Sequence, residues 1–177
     1  MRITFILPSI SLSGGVKVIF QYANCLKARG HQVTVVYPLI PLRWGAPWHD
    51  VRATYHQSMQ VLGNIRKGER VSWFDLKAPL LRANTLAAHH IPDADIVVAT
   101  AWCTAPIVHG YPASKGQKCY LIQHYEAVMG PQSLVDETWR LPMHKIVIAS
   151  WLKHLGEERF GVQVFGPIVN GINHQHF

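Results

Sequence analysis

The chain has 177 residues, enough for one domain, and 49% of them are apolar, which is ample for a single core. Seventeen Lys and Arg face ten Asp and Glu, and this net charge of +7 with neutral histidines favours anionic partners. Three widely spaced cysteines (Cys25, Cys103, Cys119) exclude a disulfide framework and match no zinc-ligand spacing.

The first predicted element is a short apolar strand, Ile3 to Leu7, ended by Pro8. A Ser/Gly loop follows, Ser9 to Gly15, and then a helix from about Val16. Its apolar positions Val16, Ile19, Phe20, Ala23 and Leu26 keep helical spacing. Lys27 and Arg29 suit the last turn, and Gly30 suits the position just past it. Val33 to Tyr37 is the second strand, which completes a βαβ unit and implies a right-handed crossover in a parallel sheet. Cys25 in the helix and Cys119 in a later strand read as small buried apolar residues.

From Pro38 to about Pro92 the pattern weakens. Val71 to Phe74 reads as a strand and Leu80 to His89 as a helix, while Trp44, Trp48 and Arg43 fall in an irregular loop. Arg66, Lys67, Arg70, Lys77 and Arg82 form a loose basic group without interleaved aromatics, more in keeping with a solvated face than with nucleic-acid binding. Order returns with strand Ile96 to Ala99, helix Ala105 to Gly110, strand Lys118 to Ile122 and helix Ser133 to Leu141. Strand Lys145 to Ala149, helix Trp151 to Phe160 closed by Gly161, and a last short strand near Val164 complete the alternation. The expected architecture is a doubly wound α/β domain with a mainly parallel sheet and a central first strand, covering residues 1–167. Residues 168–177, with Asn170-Gly171, read as the start of a linker.

Ligands of such sheets bind beyond the carboxyl ends of the strands. Three loops qualify: Pro8 to Gly15, Thr100 to Thr104, and Gln123 to Gln132. Gly14-Gly15 before a helix suits either an anion on free amides or a tight turn. The loop is neither a Walker loop nor a G-x-G-x-x-G fingerprint, and no acidic residue follows the second strand, which rules out an NAD oxidoreductase. His124 directly follows a strand, where an imidazole serves a sugar hydroxyl or exchanges a proton near neutral pH; Glu126 either orients it or is a plain loop carboxylate. His89-His90 and Glu157-Glu158 read as solvated pairs. No metal site and no cofactor are expected.

The segments I-T-F-I-L-P, S-G-G-V, A-R-G-H-Q-V-T-V-V, A-D-I-V-V-A-T-A-W, L-I-Q-H-Y-E, I-V-I-A-S-W-L-K and V-N-G-I-N-x-x-x-F together resemble the N-terminal domain of retaining, family-4 glycosyltransferases of the GT-B fold. The Q-H-Y-E stretch is most similar to a bacterial, rhamnosyltransferase-like branch of surface-polysaccharide synthesis. The resemblance implies that Gly14-Gly15 approach the donor's phosphates or sugar, that His124 contacts the transferred sugar, and that Asn170-Gly171 open a hinge into a C-terminal donor-binding domain. It implies as partners a nucleotide-sugar donor shared with that domain and a saccharide or lipid-linked acceptor, with no metal and no nucleic acid. The family shows Asp where this chain has Asn173, and its E-x7-E carboxylates have no counterpart here. Trp44, Trp48 and Arg43, with Trp102, are assigned to the acceptor side because tryptophans stack on sugar rings; packing of those indoles on the domain itself is the competing expectation. On this view the fragment alone is inactive. A GT-B epimerase or phosphorylase half, and a stand-alone binding or regulatory module, are the rival classes. The initial apolar run is too short for a signal peptide, and Thr100, Thr104 and Pro106 break the greasiest stretch below spanning length. The expected place is the cytoplasm, with peripheral contact at the inner membrane face left open.

Overall fold

The computed structural model describes residues 1–42, 59 and 71–171. Seven strands form one all-parallel sheet: β1 (Arg2–Ile6), β2 (Gln32–Pro38), β3 (Leu80–Ala83), β4 (Ile96–Ala99), β5 (Gln117–Ile122), β6 (His144–Val147) and β7 (Val164–Phe165). Their order is β3-β2-β1-β4-β5-β6-β7, so strand order reverses between β1 and β4 and the first strand lies inside the sheet. Register runs Phe5 against Val35 on one side and Val98 on the other.

Alternate residues of the buried strands serve opposite faces. Ile3, Phe5, Val33, Val35, Val98, Cys119 and Leu121 join Val16, Ile19 and Phe20 in one core. Ile6, Val36, Val97, Ala99, Tyr120 and Ile122 join Val108, Trp139 and Leu152 in the other. A core on each face is the doubly wound arrangement expected from the sequence.

Helix α1 (Gly14–Ala28) begins two residues earlier than its apolar stripe does, because the Ser13 hydroxyl accepts the Val16 N–H at 3.2 Å and caps it. It ends at Arg29, and Gly30 takes φ +85°, the left-handed conformation in which a glycine avoids Cβ strain. Cys25 is exposed, contrary to expectation: the buried stripe is Val16, Ile19, Phe20 and Ala23, and Cys25 points off it. Cys119 is buried as expected.

Two further expectations fail before β4. Residues 71–74 form bends and no strand; Trp73 and Phe74 pack on Phe20 of α1, with ring centroids 5.4 Å away in each case. The predicted helix over 80–89 is β3 followed by a 3-10 turn, Ala88–His90, since pairing of Leu80–Ala83 with Val35–Pro38 outweighs local helix propensity. Helices α2 (Ala105–His109), α3 (Gln132–Arg140) and α4 (Ser150–His154) follow the predicted order. The last predicted helix splits, and Leu155–Arg159 forms a π-helical turn. Among the described residues no helix is long and apolar enough to cross a membrane.

Some of the cations are engaged within the fold. Lys145 is buried, with Nζ donating to the carbonyls of Leu141 at 2.6 Å and Met143 at 3.2 Å, and burial lowers its pKa. Lys115 pairs with Asp93 at 2.7 Å, and Arg2 pairs with Asp95 at 3.0 Å.

Candidate active site

The reversal between β1 and β4 opens a crevice at the carboxyl ends of the strands. Its floor is fixed by threonines. The Thr100 hydroxyl donates to the Ile6 carbonyl at 2.8 Å, joining the ends of the two strands. Thr104 Oγ1 accepts the N–H groups of Thr100 and Ala101, both at 3.1 Å, and donates to the Ala101 carbonyl, so one side chain shapes the whole second loop.

Above this floor lies a cavity of about 660 Å³, lined by Ser9, Ser11, Gly14, Gly15, His124 and Glu126 among others. All three loops chosen from the sequence contribute to it. Ser13 Oγ takes the Val16 N–H and the Ser13 carbonyl takes the Lys17 N–H. The Gly14 and Gly15 N–H groups have no partner among the described residues, and both glycines line the cavity at the positive end of α1. Neither glycine has a positive φ. A Cβ would meet nothing within 4 Å at Gly14 and only the Gln123 amide, at 3.5 Å, at Gly15. The fold thus requires glycine at neither position, which removes the tight-turn explanation. What the missing side chains leave is room.

His124 is exposed at the cavity wall. Its Nδ1 lies 2.9 Å from the Tyr125 carbonyl, which only accepts, so Nδ1 carries a proton, and in the uncharged ring the acceptor is Nε2. The loop bearing it is pinned from below. The Tyr125 hydroxyl donates to Asp136 Oδ1 at 2.6 Å, Arg159 donates to Asp136 Oδ2 at 2.7 Å, and the guanidinium lies 5.3 Å above the Tyr125 ring. Asp136 and Arg159 carried no signal in the sequence, because their partnership with Tyr125 spans three separate elements.

Glu126 accepts the Trp102 N–H through Oε2 at 2.6 Å. Burial pushes its carboxyl up to about 7, although that hydrogen bond pulls the other way. The buried Tyr120 hydroxyl interacts with the carboxylate electrostatically but completes no hydrogen bond. Glu126 therefore changes charge near neutrality while lining the cavity, a property of acid–base and ligand-sensing groups. Cys103 is no thiolate nucleophile, since burial and the Glu126 charge push it up to about 12.

Trp102 is only 8% exposed and packs in the core, where Gly130 makes room: a Cβ there would stand 2.6 Å from the indole. What Trp102 brings to the crevice is its backbone N–H. Asn170 lines the cavity too and accepts the Tyr22 hydroxyl at 3.2 Å, while Gly171 lies in a separate groove against α1. Arg43, Trp44 and Trp48 lie outside the described residues, as does Asn173. Among the described residues, no group of three or more His, Cys, Asp or Glu is placed to hold a metal ion.

No family model matches the chain, and no curated protein matches it. Among solved structures it is similar to an alpha-glucosyltransferase (AGT) in complex with UDP, at a TM-score of 0.52 and 14% identity. The match covers 98% of this chain and 42% of that chain, so this chain spans about two fifths of its neighbour's length. At that identity the likeness is one of fold: the parallel, doubly wound α/β architecture is shared.

Proposed function

We propose that this chain is the acceptor-side half of a GT-B-type glycosyltransferase, which moves a sugar from a nucleotide-sugar donor to a saccharide or lipid-linked acceptor. The observation that carries the proposal is the cavity itself, where unpartnered Gly14 and Gly15 amides, His124 and the near-neutral Glu126 meet at the switch point. The fold shared with a UDP-bound glucosyltransferase supports it, and the coverage of that chain leaves space for a second, donor-gripping domain. Retention of configuration, membership of family 4 and a role in surface-polysaccharide synthesis rest on the sequence resemblance.

In the proposed reaction the bond from the sugar's anomeric carbon to the leaving phosphate oxygen breaks, and a bond to an acceptor hydroxyl oxygen forms. The hydroxyl proton passes to the departing phosphate. The free amides at the start of α1 stabilise negative charge growing on that phosphate, and His124 Nε2 accepts a hydrogen bond from a hydroxyl of the transferred sugar. Protonated Glu126 adds a donor beside an anion without adding like charge.

In the enzyme carrying this chain and its second domain, His124→Ala should lower turnover by roughly one to three orders of magnitude. The circular-dichroism melt should barely move, because the imidazole is exposed. Unchanged turnover would remove His124 from the mechanism.

A further inference from the structure

Trp151 is an unexpected surface residue. It is 50% exposed at the start of α4, directly after β6, and so stands on the same edge of the sheet as the cavity. Its indole meets the His124 imidazole edge-on, with centroids 5.7 Å apart and planes at 74°. His124 lines the cavity and Trp151 does not. The imidazole is thus a shared wall between the cavity and an open aromatic surface beside it.

We propose that Trp151 is the stacking platform for the acceptor, binding one pyranose ring next to the cavity, on the far side of the His124 imidazole. The proposal rests on the transferase function above and adds to it the acceptor's position and class. Three features point to a sugar. A pyranose presents an apolar C–H face, which an exposed indole matches, and a rim of hydroxyls that stays in water. Val128 and Met129, on the loop that carries His124, are exposed apolar residues too, and Met129 lines the cavity. Finally, an acceptor must lie within bonding reach of the donor sugar yet outside its pocket, and a ring on Trp151 is separated from the cavity by one imidazole.

The test uses this chain labelled uniformly with nitrogen-15, with the Trp151 indole peak assigned from Trp151→Phe. Methyl pyranosides of gluco, galacto, manno and rhamno configuration are titrated, and UDP-glucose is titrated separately while the Gly14 and Gly15 amides are followed. At least one pyranoside should shift the Trp151 peak saturably, in the range of about 1 mM or weaker. Trp151→Ala should weaken that binding about three- to tenfold, as loss of an aromatic contact does. It should leave the glycine response to UDP-glucose unchanged. A silent Trp151 peak alongside responding glycines would overturn the platform and spare the transferase reading. A responding Trp151 peak with silent glycines would support a sugar platform and count against nucleotide-sugar chemistry in this cavity. In the two-domain enzyme, Trp151→Ala should raise KM for the acceptor with little change in kcat. A Trp151 peak insensitive to every pyranoside there would overturn the platform in the working enzyme.

Discussion

Glu126 illustrates how the surroundings of a single residue set its charge. Its pKa stands at about 7 in the folded chain against an ordinary 4.5. Between those values the native state holds a proton that the unfolded chain has released, so stability falls as pH rises through this window. Below about 4.5 the carboxyl is neutral in both states and the cost is absent; above about 7 it is paid in full. Glu126→Gln keeps an oxygen for the Trp102 N–H and cannot ionise. The melting temperature of Glu126→Gln relative to the parent should therefore rise from pH 4.5 to pH 8 in thermal melts. Equal pH profiles would show that the carboxyl is less desolvated than the structure implies. Gly15 makes the complementary case. Gly15→Ala should keep stability within about 1 kcal/mol of the parent in urea denaturation, since φ is negative and the new Cβ finds ordinary contact. If the substitution unfolded the chain, the glycine would be structural after all.

The loop after β5 shows why elements far apart in sequence matter to one histidine. Tyr125 is held by Asp136 of α3, which also holds Arg159 of the π-helical turn. Removing the Tyr125 hydroxyl with Tyr125→Phe should cost about 1 kcal/mol of stability. It should also lower turnover of the complete enzyme severalfold, by loosening the backbone carbonyl that fixes the His124 tautomer. A stability loss with unchanged turnover would confine the network to folding. The strands and helices around this loop were legible in the sequence because buried parallel strands are short apolar runs. Gly30 marked the end of α1 through a backbone conformation that the residue type betrays. The stretch 71–90 was misread for a physical reason: β3 is an edge strand whose four residues, Leu80–Ala83, gain their structure from β2. Trp73 and Phe74 settle on Phe20 without entering the sheet at all.

Across the whole molecule, strand order was the one feature that periodicity does not encode, and strand order creates the crevice. The sequence brought the three loops together by architectural analogy, and the cavity joins residues from all three. It did not reveal Trp151, because an indole at helical spacing looks like core until its exposure is seen. Nor did it show that Lys115 and Lys145 are buried and engaged within the fold. The central claim is that this crevice receives the phosphates of a nucleotide sugar. The most direct measurement is a titration of the nitrogen-15-labelled chain with UDP-glucose, following the amide peaks of Gly14 and Gly15. Both should shift saturably, inorganic phosphate should move them less, and Gly15→Ala should weaken the response. Peaks that stay in place while others shift, or that respond equally to phosphate and UDP-glucose, would contradict a nucleotide-sugar site.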